Sequence, residues 1–192
     1  MELNQIRDKL DKKEYEFLSI FEDQLELTLY FIGSITRSDF IKGKSDLDIE
    51  VFTENMTSTK YKVNHLLNYY YKKKEPKYMV FKINGTPISG YKYCFKNKDI
   101  FFDFTIYKKE SQELLLHQRI IEINIPVTLS IFLFIIKYLY YYLHVINNDQ
   151  YSFIKKKLWF LYNPEKTVSE SYTDQEYARY LDSENGDKKF LI

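Results

Sequence analysis

The chain reads as an α+β protein, a mixed β-sheet flanked by helices with a helical region towards the C-terminal end. Three observations carry that reading. Two apolar stretches, 27–32 and 47–52, bracket a polar loop that opens on Gly33-Ser34. A second block, 78–107, has the run of strands and turns of a β-rich section and contains Asn84-Gly85, a dipeptide suited to a tight hairpin because both residues tolerate positive φ. Beyond Lys108 the apolar spacing becomes helical and stays so to Tyr162.

Taken in order, residues 2–25 set Ile6, Leu10, Tyr15, Phe17, Leu18, Phe21 and Leu25 among charges at roughly helical spacing, with an interruption near Asp11. The stretch 27–32 is a strand that runs into the Gly-Ser turn, and 47–52 is its partner. Residues 58–73 read as a helix that buries Tyr61, Leu66, Leu67 and Tyr70 and stops before Pro76. Strands follow at 78–83, at 88–95 with a bulge at Gly90, and at 100–107 after a turn over 96–99. In the last of these Phe102, Phe104 and Ile106 share one face, and Phe101, Asp103, Thr105 and Tyr107 share the other. Helices over 110–120, 126–146 and 152–162 come next, the second a buried helix packed on the sheet. Asn163-Pro164 breaks the chain, and the acidic tail from Ser169 offers one short helix at 173–181.

At 192 residues the chain is long enough for a sizeable core, and 45% hydrophobic with 29% charged residues is ordinary for a globular protein. A net charge of +1 gives no global pull towards nucleic acid or membrane. The 19 Tyr and 15 Phe, with only four Arg among many Lys, reflect coding bias rather than a binding surface. A single Cys94 excludes an internal disulfide framework and fits a reducing, cytoplasmic setting. The first residues lack the layout of a signal peptide. His65, His117 and His144 are scattered with no Cys partners, so no zinc site is expected.

The chemistry lies in the segment Phe31 to Val51. On an extended strand Leu47, Ile49 and Val51 face one way, and Asp46, Asp48 and Glu50 the other. Carboxylates aligned on one face repel unless a cation or water screens them. Hard oxygen ligands at this spacing suit Mg²⁺, which keeps water and phosphate oxygens in the rest of its octahedron. Gly33 and Ser34, one loop earlier, offer backbone N–H groups and a hydroxyl to such phosphates. Glu50 lies further from the loop and reads as a surface acid or a partner to the ligands. Asp103, hemmed by Phe101, Phe102 and Phe104, needs a partner or a metal of its own.

Ile32-Gly33-Ser34, eleven intervening residues, then Asp46-Leu47-Asp48-Ile49 closely resembles the signature of the nucleotidyltransferase superfamily, the group that includes DNA polymerase beta. With Arg37 and Ser45-Asp46 it looks most similar to the minimal and aminoglycoside-type members, although Ser38 stands where they usually carry Gly. The resemblance implies a nucleotidyltransferase fold, with a catalytic domain over 1–124 and a helical C-terminal region, 125–192, packed on it. It implies transfer of a nucleoside monophosphate from a nucleoside triphosphate to a hydroxyl, with Mg²⁺ or Mn²⁺ and release of pyrophosphate. Asp46, Asp48 and Asp103 would hold the metals, and Asp103 would deprotonate the acceptor. Gly33, Ser34, Arg37 and Lys137 would meet the nucleotide's phosphates. The acceptor stays open among a small molecule, a protein side chain and an RNA end.

Lys137 sits among Leu, Ile, Phe and Tyr, so its ammonium must reach solvent or find an anion. Tyr138, Tyr141 and Tyr142 read as core rather than as a platform for a base. Two other readings remain: a catalytically inactive nucleotide-binding or interaction module of the same fold, and a protein anchored in a membrane through 127–146. That run has the length to span a bilayer, but Lys137 falls at its middle, so no membrane partner is expected.

Overall fold

The computed structural model describes residues 1–70, 76–96, 101–162 and 170–173. Its centre is a six-stranded mixed sheet in the order β1-β2-β5-β4-β3-β6. The strands are β1 (Tyr30–Ile32), β2 (Leu47–Thr53), β3 (Lys77–Ile83), β4 (Thr86–Lys96), β5 (Phe101–Lys108) and β6 (Glu170–Thr173). The helices are α1 (Lys12–Leu25), α2 (Met56–Tyr70), α3 (Gln112–Ile123), α4 (Val127–Tyr141) and α5 (Asn148–Tyr162). The architecture is the expected α+β fold.

The interruption near Asp11 is a helix start. Leu3–Lys9 form a 3₁₀ turn, and Asp11 then caps α1 by accepting the Glu14 N–H at 2.8 Å while its own N–H donates to the Glu14 carboxylate at 2.8 Å. Asn84 and Gly85 take φ of 50° and 78° and close the β3–β4 hairpin. Gly90 makes no bulge. It keeps regular register with Met79 and Tyr107, and a Cβ there would meet the Ile106 carbonyl at 2.7 Å and the Tyr107 ring at 2.8 Å. Its lack of a side chain makes room for that ring.

The sheet is covered on both faces. On one, Leu47, Ile49 and Val51 of β2 and Phe102, Phe104 and Ile106 of β5 form a buried cluster with Leu18, Phe21 and Leu25 of α1 and Val63 and Leu67 of α2. Phe21 meets Phe104 edge-on at 5.1 Å between centroids. Burying one such ring stabilises the fold by about 1.5–3 kcal/mol, so this cluster is the main source of cohesion. Tyr61 is on the outside of α2, 73% exposed, and the buried side is set instead by Thr59, Val63 and Leu67. Tyr70, by contrast, is a position whose side chain falls outside the description. On the other face Phe52, Phe81, Ile83, Ile88 and Tyr107 gather with Leu115 of α3.

That second face also buries an ion pair. Glu50 is not at the surface: it is 2% exposed and held by Arg119 of α3 through two nitrogens, with Arg119 also donating to Glu122 at 2.8 Å. The α3 helix brings a guanidinium to the strand, so the acid closes against protein instead of water.

α4 and α5 share a cluster of Leu129, Leu133, Ile136 and Tyr151. α4 does not lie flat on the sheet as a buried helix. Its inner side meets α5 and the loop after Gly33-Ser34, and its outer side is exposed, Tyr138 and Tyr142 included. Among the described residues no single helix is long and apolar enough to cross a membrane, and α4 is bent by 83° from the helical stretch Lys109–Ile123. The stretches 96–99 and 173–181 fall largely outside the described residues.

Candidate metal centre

The site forms where β2 and β5 run side by side. They pair in parallel with Asp48 level with Asp103, so the two carboxylates leave one face of the sheet as nearest neighbours. Asp46 comes from the last turn of the loop, just before β2. One carboxylate oxygen from each of Asp46, Asp48 and Asp103 lies within 4.8 Å of the others. Three hard oxygen donors grouped this closely could hold a divalent cation, and their chemistry matches the preference of Mg²⁺ or Mn²⁺.

Gly33 is pressed against this cluster. It has φ of +72°, and a Cβ there would lie 2.3 Å from Oδ2 of Asp48. Glycine is therefore required twice, by backbone conformation and by contact. Ser34 follows in the short 3₁₀ turn Gly33–Thr36, 7% exposed, and among the described residues its hydroxyl has no protein partner. Gly33→Ala is expected to push the Asp48 carboxylate aside and add left-handed strain of ~1–2 kcal/mol. Any activity that needs Asp48 in place should fall by about 100-fold, the effect of a misplacement near 1 Å, with only a few degrees lost in melting temperature. A rate assay beside a thermal melt checks this, and unchanged turnover in a folded variant would refute it.

Asp103 has found a partner that strand alternation alone did not reveal. Lys92 of β4 places its Nζ 2.6 Å from Oδ2 of Asp103. Burial works against the Lys92 charge, but Asp103 and Asp48 outweigh it and hold the ammonium above its ordinary value. The signal was available in the hairpin register, since β4 sets Cys94 opposite Asp103 and puts Lys92 on the same face. Cys94 itself, exposed, has its thiol pushed up to about 11 by burial and by Asp103.

Burial pushes the Asp48 carboxyl up to about 7, and the charges of Asp46 and Asp103 act in the same direction, against Lys155 and Lys92. Lys155 of α5, whose ammonium lies over the Tyr151 ring, is thus near enough for its charge to act on Asp48. Tyr141 of α4, packed against Tyr151 of α5, has its hydroxyl pushed up to about 12 by burial and then by Asp46. Because a bound cation needs Asp48 ionised, Mn²⁺ affinity is expected to fall about tenfold for each pH unit below ~7, as calorimetric titration would show. The same shift has the opposite sign for the metal-free fold. Its stabilising contribution is complete below the unfolded carboxyl value near 3.8 and is lost as pH rises through about 7. A pH-independent Mn²⁺ affinity between 5.5 and 8 would contradict the placement of Asp48.

Arg37 and Lys137 are brought together, but on a residue of the protein. Asp39, fully buried, accepts from Nε and Nη2 of Arg37 at 2.8 and 3.2 Å and from Nζ of Lys137 at 3.0 Å. Lys137 also donates to the Asp39 carbonyl at 2.8 Å, and Ser38 and Ser130 join hydroxyls at 2.7 Å. The Arg37 guanidinium lies 5.1 Å above the Trp159 ring of α5. Burial opposes the Asp39 charge, but the two cations more than offset it and hold its carboxyl below the usual range. Lys137 has found its anion. Both cations here join the loop to the C-terminal helices.

No protein-family model matches the chain, and no curated protein matches it. One solved structure, described as the structure of a GLD-2/RNP-8 complex, is similar at 12% identity over 82% of this chain, with a TM-score of 0.34. The chain spans 60% of that neighbour's chain.

Proposed function

We propose that the chain is a nucleotidyltransferase, moving a nucleoside monophosphate from a nucleoside triphosphate to a hydroxyl and releasing pyrophosphate. The observation that carries this reading is the convergence of Asp46, Asp48 and Asp103 within 4.8 Å beside a Gly33-Ser34 corner that only glycine can complete. Asp46 and Asp48 would hold two Mg²⁺ or Mn²⁺ ions, with Asp103 completing the set. Bound there, such ions supply charge neutralisation on the triphosphate and acidify the acceptor hydroxyl. The chain's own part is positioning. Gly33 and Ser34 present a backbone turn and a hydroxyl to the phosphates, Lys155 adds positive charge from α5, and Asp103 accepts the acceptor's proton once Lys92 has released it. In-line phosphoryl chemistry asks little more of a protein than placement and charge compensation. Arg37 and Lys137 act on the nucleotide indirectly, through the loop they anchor.

Incubation with each α-labelled nucleoside triphosphate and Mg²⁺ or Mn²⁺, alone and with RNA, lysate protein or small-molecule pools, tests the proposal. Metal-dependent release of pyrophosphate with label on one pool supports it and names the acceptor class. A second reading, an inactive module of the same fold, draws on the Lys92–Asp103 contact, which neutralises one acid without any metal. No turnover with any pool, together with no Mn²⁺ binding, would favour that module.

A further inference from the structure

The outer half of α4 carries no charge. In its sequence the one ionisable group besides tyrosine hydroxyls is Lys137, and that side chain points inward to Asp39. Outward stand Ile131, Phe132, Phe134, Ile135 and Tyr138, with Tyr142 at the helix's C-terminal cap, each between 44% and 58% exposed. Such a face is unusual in a chain with 29% charged residues. At roughly 100 Å² of exposed side chain apiece, the six present ~600 Å². That is the upper end of what a monomer ordinarily leaves uncovered.

We infer that this face is where a second copy of the chain docks, α4 against α4 about a two-fold axis. Three features favour self-association. Ile131, Ile135, Tyr138 and Tyr142 recur at steps of four, three and four, the seam that lets two helices interlock, with Phe132 and Phe134 widening it on either side. Tyr138 and Tyr142 are already stacked on one another at 5.2 Å, so little side-chain freedom is lost on burial. The area also matches the need: the six side chains supply most of the ~800 Å² that each partner contributes to a standard interface, and a polar rim makes up the remainder. A face without charge selects a partner equally free of it, and an isologous contact meets that condition by construction. A lipid surface is the weaker match, because an interfacial helix keeps a polar, basic side in water and the inner side of α4 is buried in protein. The inference rests on the fold and is independent of the chemistry proposed above.

The test is sedimentation velocity on the full chain at tens of micromolar, beside Ile135→Glu and a control, Phe153→Glu, on the exposed side of α5. A wild-type mass of two 23.4 kDa chains, kept by the control and lost in Ile135→Glu with dimerisation weakened roughly 100-fold or more, supports the proposal. Circular dichroism shows whether the variant is folded. If it is not, Ile135→Cys in a Cys94→Ser background replaces it: a two-fold axis near residue 135 yields a disulfide-linked dimer under mild oxidation. A monomeric wild type, a dimer indifferent to Ile135→Glu, or no cross-link overturns the inference. So does a monomer that instead sediments with neutral phosphatidylcholine vesicles.

Discussion

Asp48→Asn is expected to abolish divalent-cation binding and to lower nucleotidyl transfer by roughly 10²–10³-fold or more, while melting no lower than the wild type near pH 8. The two effects have opposite sign for one reason. Burial pushes the Asp48 carboxyl up to about 7, and the charges of Asp46 and Asp103 push it the same way. Above that pH the metal-free fold carries a strained negative charge, and the neutral amide removes it. A substitution that damaged the fold would lower activity and stability together. One that removed a functional acid lowers the first and spares the second. Calorimetric titration with Mn²⁺, a transfer assay and a thermal melt on the same preparation separate these cases. A variant that still binds Mn²⁺ with wild-type affinity would remove Asp48 from the site.

Asp39→Ala should have the largest effect on stability. It leaves Arg37 and Lys137 buried with nothing to neutralise them, and losing one partner of a buried ion pair costs about 3–5 kcal/mol, or ~10–15 °C in melting temperature for a chain of this size. Pairing it with Lys137→Met should recover part of the loss, because an apolar side chain of similar length tolerates the pocket that a lone ammonium does not. Asp39 also fixes a pH window. Its carboxyl is held below the usual value near 3.8, so the contribution is present above that value and is lost as pH falls further. If Asp39→Ala melts like the wild type, or if the double variant is worse than the single, the buried triad is not what holds the loop to α4.

How much of this could be read from the residues depends on the distance over which each contact acts. Gly33-Ser34, Asp46 and Asp48 lie within one strand-loop-strand unit, so spacing and alternation were enough. Asp103 followed from its uncomfortable place among phenylalanines. Asp39 escaped notice because an acid in a polar loop looks solvated, and its partner Lys137 is 98 residues away. Glu50 was misplaced for the same reason, with Arg119 lying 69 residues on. Lys92 depends on the β4–β5 register, which sets Cys94 against Asp103 and Lys92 two residues along on the same face. Helical spacing sets Tyr61 inward because a tyrosine there resembles a core residue, whereas Thr59 and Val63 take that side. The exposed tyrosines of α4 repeat the lesson: an apolar stripe states what a helix prefers to cover, not which partner covers it.

β5 is fifth along the chain yet third across the sheet, inserted between β2 and β4. During synthesis, therefore, β2 emerges with one edge unfilled and waits some fifty residues for the strand that will occupy it. Until then Asp103 has no place opposite Asp48, and the open edge is the part of the nascent chain most apt to pair with a stranger. Filling the β2 edge and bringing the third carboxylate to the other two are one event, so a chain caught before it is sticky and has no assembled acidic cluster.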